Sequence, residues 1–186
     1  MLILANPARR RDRRIYELVG GPPGSLDEGR LAYLRSVIAV QYPEPSFRIR
    51  REGAKPAIFD PIRRSWVALT EEEWVRQNFL QYLIQVLGYP AAVIAVEKEI
   101  RVHELRKRFD ILIYDDQHLP WMLVECKEPQ VPLSEEVLQQ VLRYHLSLPV
   151  PFLVITNGSA TIAWTKQGEG LMSLTQLPLW PGTGLR

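Results

Sequence analysis

The sequence predicts an α/β fold, a mixed sheet flanked by helices and preceded by an N-terminal helical/β extension. A capped amphipathic helix covers residues 70–87, and three strand-like apolar runs follow it. A second capped helix over 134–146 then precedes two further strands, so the order from residue 70 is α-β-β-β-α-β-β.

Each element has a local cause. Residues 1–24 contain RRRDRR and GGPPG and read as a flexible or partly ordered arm. Residues 25–41 read as a helix, because Ser25 and Glu28 fit the capping box and Leu31, Leu34, Val37 and Ile38 follow helical spacing. Residues 46–69 suggest a small β element around Glu52-Gly53 and Asp60-Pro61. In the helix over 70–87, Thr70 is the cap, Glu73 holds the capping-box position, and Val75, Phe79, Tyr82, Leu83 and Val86 form one stripe; Gly88 and Pro90 end it. A strand over 93–100 leads through the basic link RVHELRKR to an antiparallel hairpin of 109–114 and 121–127. Ser134 caps the second helix, 152–156 is an apolar strand, and Asn157-Gly158 turns the chain into 160–164. The tail from Gln167 is irregular. These signals divide the chain into 1–41, 42–166 and 167–186.

Composition narrows the class. A hydrophobic share of 46% and a charged share of 24% suit a soluble globular chain. No apolar run is long enough to span a membrane, and no secretory signal is evident. The lone Cys126 lies in an apolar strand, which fits a reducing cytoplasm, and alternation turns it away from Glu125 and Lys127, which argues against a nucleophile. Residues 1–64 hold 13 Lys/Arg against 7 Asp/Glu, whereas the remainder hold 10 against 14. That asymmetry suits a polyanion partner such as nucleic acid, or simply a solvated basic tail. GPPGS lacks the following Gly-Lys-Ser/Thr of a phosphate loop, so there is no ATP site to read.

The hairpin carries the chemistry. Asp110 sits in one apolar run, and Glu125 and Lys127 sit two residues apart in the next. Antiparallel pairing brings Asp110 beside Glu125, and two close carboxylates stay ionised when a cation lies between them. Mg²⁺, with Mn²⁺ as a substitute, is the natural hard ion, and Lys127 can hold the attacking water. A strand-end salt bridge of Lys127 with either acid is the plainer alternative.

Asp110 followed by Glu125-Cys126-Lys127 resembles the PD-(D/E)xK nuclease motif, with Phe109 where the motif has proline. More specifically, six stretches are similar, in order, to the N-terminal nuclease domain of type I restriction enzyme R subunits, in a small stand-alone form. They are IFDPIRRSWVALTEEEWVRQNFLQYLI, GYP, VEKEI, KRFDILIYD, LVECKEPQV and PFLVITNG. The likeness spans about residues 42–166 and implies a restriction-endonuclease-like αβββαβ core with Mg²⁺-dependent cleavage of DNA. It also implies a 5′-phosphate and a 3′-hydroxyl as products, and partners such as a motor subunit, a specificity subunit or a second copy. Gln140 and Tyr144 match the Q-x-x-x-Y spacing that accompanies this core, and otherwise read as an amphipathic helix edge.

Glu72 falls inside the apolar stripe of the first helix, where a carboxylate needs a partner, so it is a candidate third metal ligand; Glu73 points away, towards capping. Arg106, Lys107 and Arg108, just before Asp110, are candidates for DNA phosphates, as is Arg76; Glu97 reads as a salt-bridge partner of Arg76 or Arg108. The expectation is thus a cytoplasmic Mg²⁺-dependent DNA endonuclease. Its competitor is a nucleic-acid-binding or assembly module that keeps the fold and does not cut, and RNA is a further possible substrate.

Overall fold

A computed structural model describes residues 37–52, 55–102, 105–134, 150–167 and 170–183. It is a mixed α/β structure, mostly sheet, with one α-helix among the described residues. The strands are β1 (Val37–Ile38), β2 (Ile49–Glu52), β3 (Lys55–Asp60), β4 (Ser65–Ala68), β5 (Ile94–Val102), β6 (Leu105–Tyr114), β7 (Pro120–Cys126), β8 (Phe152–Thr156), β9 (Thr161–Gln167) and β10 (Gly170–Leu174). The helix, α1, spans Glu71–Gln85.

The main sheet runs β1-β9-β8-β7-β6-β5, and β10 also pairs with β9. The β6/β7 hairpin is antiparallel, as the sequence predicts, with Ile111 opposite Val124 and Leu112 opposite Leu123. Asp115 builds its turn by accepting from the amides of Gln117 and Leu119. β8 lies parallel to β7, which requires a crossover connection. The helix expected over 134–146, with Gln140 and Tyr144, falls in that connection and outside the described residues.

The central strands are covered on both faces, which is why they read as unbroken apolar runs. Ile111, Ile113, Met122, Val124 and Cys126 pack with Phe79, Leu80 and Leu83 of α1. Leu112, Leu123, Leu153 and Ile155 pack on the opposite face. Each such fully buried side chain contributes about 1.5–3 kcal/mol relative to exposure.

Helix α1 begins as predicted, with Thr70 Oγ1 accepting from the Glu73 amide at 3.0 Å. Its packing departs from a simple amphipathic stripe. Val86 is half exposed, while Arg76, Gln77, Asn78 and Gln81 are buried. The helix is held from several sides at once: Phe47 stacks edge-on against Trp74, and Gln81 donates to the Glu44 carbonyl.

The antiparallel three-stranded sheet β2-β3-β4 matches the β element expected over 46–69. Buried Asp60 organises its β3–β4 turn, accepting from the amides of Ile62 and Arg63.

Four expectations need correction. Of the helix expected over 25–41, residues 25–36 lie outside the description, and Val37–Ile38 is a strand paired with Ile162 and Thr161. Helical spacing of a few apolar residues could not reveal a distant strand partner. The basic link at 101–108 is largely strand, since β5 and β6 pair out to Val102 and Leu105. The tail contains β10 and a short 3₁₀ turn, Pro181–Thr183, where an irregular segment was expected. The sheet therefore extends past 42–166 at both ends. Finally, Glu73 does not serve as the reciprocal half of a capping box; it is buried and ion-paired, as described next.

Candidate active site

The hairpin register, continued one step beyond Ile111 and Val124, sets Asp110 across from Glu125. The ladder stops there because the Asp110 side chain replaces a backbone acceptor: Oδ2 receives the Cys126 amide at 2.7 Å. Lys127 follows the end of β7, and its amide donates to the Thr156 carbonyl of β8 at 2.8 Å. Its Nζ donates to Glu125 Oε1 at 2.7 Å. Asp110, Glu125 and Lys127 thus occupy one end of the β6/β7 hairpin, next to the start of the turn that leads out of β8.

A buried guanidinium stands beside them. Arg76, only 3% exposed, projects from α1 and meets four carboxylates. Its Nη2 lies 2.8 Å from Asp110, 2.9 Å from Glu72 and 2.9 Å from Glu97, and its Nη1 pairs with Glu73. Glu73 in turn accepts from Gln77 and from Arg63, which also bonds Asp60. A chain of alternating charge therefore runs from the small sheet to the hairpin: Asp60, Arg63, Glu73, Arg76, Asp110.

One backbone distortion brings Glu97 into this convergence. Val96 and Ile111 both pack on the α1 face, yet their neighbours Glu97 and Asp110 also reach Arg76 on that face. A regular strand sends successive side chains to opposite faces. Glu97 adopts φ +53°, a left-handed conformation that breaks the alternation, and the β5/β6 register resumes unchanged with Lys98 opposite Phe109. Non-glycine residues in this region are uncommon and carry strain, which accumulates at functional sites.

The electrostatics follow from crowding. Burial, then the charge of Asp110, pushes the Glu125 carboxyl above its ordinary range despite the pull of Lys127. Burial and Asp110 raise Glu72 in the same way, against Arg76. For Lys127, burial opposes the charge, but the bond to Glu125 outweighs it and the pKa rises. Arg76 is likewise held protonated: burial opposes it, and Asp110 leads the carboxylates that prevail. The Cys126 thiol is pushed far up, first by burial and then by Asp110.

The sequence-selected residues separate into three sets. Asp110, Glu125, Lys127, Glu72 and Glu97 are brought together, and Glu97 pairs with both Arg76 and Arg108. Arg76, expected at DNA phosphates, is enclosed by carboxylates instead. Arg108 has a 70% exposed side chain and bonds Glu97 at 2.7 Å; Arg106 and Lys107 lie on β6, opposite Arg101 and Ile100. Gln140 and Tyr144 lie outside the described residues. Sequence reasoning missed the place of Glu73 and Arg63 in the ion-pair chain. The usable signal was a capping-box glutamate that also faces an arginine three residues on, at Arg76.

Whether this donor set suits a divalent ion can be judged from its chemistry. Among the described residues, no three His, Cys, Asp or Glu side chains form a group that could hold a metal. Glu72 Oε1 is bonded to Arg76 at 2.9 Å rather than joined with Asp110 and Glu125 in a three-carboxylate cage. Two carboxylates do suit Mg²⁺, which takes one or two protein oxygens and fills the rest with water and substrate phosphate. The raised Glu125 carboxyl fits that role, because a nearby cation would offset its burial and its repulsion by Asp110.

Fold and site together define an α/β domain with a carboxylate-and-lysine centre at one end of a β-hairpin. The family model for the type I restriction enzyme R protein N terminus matches residues 71–178, and the chain belongs to that family. No curated protein matches the chain significantly. Among the described residues, no helix is long and apolar enough to cross a membrane.

Proposed function

We propose that the protein is a Mg²⁺-dependent DNA endonuclease of the PD-(D/E)xK type, serving restriction or a related DNA-processing role. The observation that carries this reading is the placement of Asp110 opposite Glu125 with Lys127 bonded to Glu125. Membership of a restriction-enzyme subunit family supports it.

In this reading Asp110 and Glu125 hold the ion, and the Cys126 amide fixes Asp110 by binding its Oδ2. When bound, Mg²⁺ lowers the pKa of a coordinated water and neutralises charge on the reacting phosphate. Lys127, kept cationic by Glu125, orients the nucleophilic water and faces the charge that develops on the phosphoryl oxygens. Arg76 holds Asp110 in place from the helix side, and exposed Arg108 is available to the DNA backbone.

The test is a supercoiled plasmid incubated with the full chain and Mg²⁺ or Mn²⁺. Nicking or linearisation is expected with metal and not with EDTA, and Asp110→Ala or Lys127→Ala should lower the rate at least about a hundredfold. Activity that survives both substitutions would overturn the assignment. DNA binding that is steeply salt dependent, with no cleavage under any metal, would instead mark a binding or assembly module.

A further inference from the structure

The small sheet carries chemistry that the hairpin centre does not use, and it lies before residue 71, where the family match starts. Strand alternation puts Arg50, Lys55, Ala57, Phe59, Trp66 and Ala68 on one face, and the opposite face buries Ile58. Arg48 joins the first set at the start of β2, where its carbonyl accepts from the Phe59 amide at 2.9 Å. Arg48, Arg50 and Lys55 are exposed, as is Arg64 in the adjoining turn. Glu52 pairs with Lys55 across β2 and β3.

The two arginines lie over aromatic rings. Phe59 and Trp66 meet edge to face across β3 and β4, with ring centroids 5.5 Å apart. Arg48 Cζ lies 4.4 Å above the Phe59 ring and 5.5 Å from Trp66, and Arg50 Cζ lies 4.1 Å above Trp66. Contact with a ring restricts the guanidinium in advance, so less freedom is lost when it meets an acceptor. Phosphate oxygens match that planar fork.

Electrostatics favour a polyanion here over the hairpin end. The hairpin centre gathers Glu72, Glu73, Glu97, Asp110 and Glu125 around Arg63, Arg76, Arg108 and Lys127, so its cations are already engaged by acids. Beyond Arg108, further attraction can come from another surface, and this face carries like-signed guanidinium and ammonium groups. It is also tied to the centre, because Arg63 of the β3–β4 turn bonds both Asp60 and Glu73.

We propose that the Arg48–Arg50–Lys55 face, backed by Phe59 and Trp66, docks the phosphate backbone of DNA. Delivery of that DNA to the hairpin centre rests on the cleavage reading above, whereas the docking itself does not.

The experiment uses the full chain in EDTA, which removes cleavage from the measurement. Fluorescence anisotropy follows binding to labelled DNA of about 30 nucleotides, single-stranded and duplex, over a range of salt. Arg48→Glu with Arg50→Glu should weaken both by about tenfold or more. It should also reduce the log–log salt slope for duplex by about 2, one phosphate contact for each arginine. Arg48→Ala with Arg50→Ala should give the same direction, and circular dichroism checks that both variants fold. Lys166→Glu, a charge reversal at an exposed position of β9, should change affinity less than about twofold. Asp110→Ala, which removes one acid from the hairpin end, should bind at least as tightly as wild type. Loss of nicking with docking intact then bears on the hairpin alone, and loss of docking with nicking intact bears on this face alone. Wild-type binding by the double Glu variant, an equal loss in Lys166→Glu, or equally tight binding of labelled polyglutamate would each overturn the proposal.

Discussion

Arg76 on α1 reaches Asp110 on β6 at 2.8 Å, so a carboxylate at the hairpin end is paired with a cation that belongs to the protein itself. The same guanidinium is buried and contacts Glu72, Glu73 and Glu97 as well. Its Nε has no hydrogen-bond partner among the described residues. Charge balance, more than hydrogen-bond completeness, therefore fixes the position of this side chain.

Removing that cation should be severe. Arg76→Ala leaves buried Glu73 and part-buried Asp110 and Glu97 without their shared partner, and breaking a buried pair costs about 3–5 kcal/mol. Urea unfolding measures it. Arg76→Lys should recover only part of the loss, since one ammonium cannot reach four carboxylates in the geometry of a planar fork. A loss below about 1 kcal/mol in Arg76→Ala would mean that the network adds nothing to the fold.

The left-handed residue gives a separate test. Glu97→Ala loses the bonds to Arg76 and Arg108 and keeps the strained backbone, whereas Glu97→Gly loses the same bonds and relaxes it. The glycine variant should be more stable than the alanine variant by about 1 kcal/mol, the reverse of their usual order in a strand. Equal stabilities would show that the φ of Glu97 costs nothing.

Glu125 links stability to pH and metal. Its folded pKa lies above the ordinary 4.5, so the folded state holds this proton more tightly than the unfolded chain does. The sign follows: the group opposes folding at neutral pH, and the penalty fades as pH falls through the folded pKa towards 4.5. Glu125→Gln in EDTA should therefore melt at a higher temperature than wild type near neutral pH, with the gap closing on acidification. Saturating Mg²⁺ should raise the wild-type melting temperature, by about 2.7 kcal/mol of stability at a hundred times Kd, and should do little for the Gln variant. Differential scanning fluorimetry across pH, with and without metal, reads both effects.

Cys126 reports on opening of the sheet. It is fully buried, and burial with the neighbouring Asp110 charge keeps its thiol protonated. A thiol reagent at mildly alkaline pH should modify it at least about a hundredfold more slowly in the native protein than in urea. Rapid native labelling would place the β7 end in contact with solvent.

Much of the architecture was legible because its causes are local. The Thr70 cap, the β6/β7 hairpin and the Asn157-Gly158 turn each declare themselves within a few residues, and the structure has them. What escaped depends on distant partners. β1 is a strand because Ile162 and Thr161 pair with it, and β10 because β9 does; neither partner is visible in the local spacing. At the site, the facing of Asp110 and Glu125 follows from hairpin register and could be read directly. Arg76 was legible as a partner of Glu97, which it is, but its enclosure by four carboxylates was not, since an arginine in a helix is ordinarily exposed. Glu73 satisfied a capping pattern well enough to hide its ion pairs.

Tyr42 packs edge-on against Tyr82 and lies in the core, Val37–Ile38 completes one border of the sheet, and Arg63 supplies a counter-charge to Glu73; all three precede residue 71. A fragment cut at the boundary of the family match would leave an apolar flank uncovered and an acid buried without one of its cations. The stretch by which kinship is recognised is thus shorter than the stretch that packs together, and any truncation meant to isolate the hairpin centre has to begin upstream of β1.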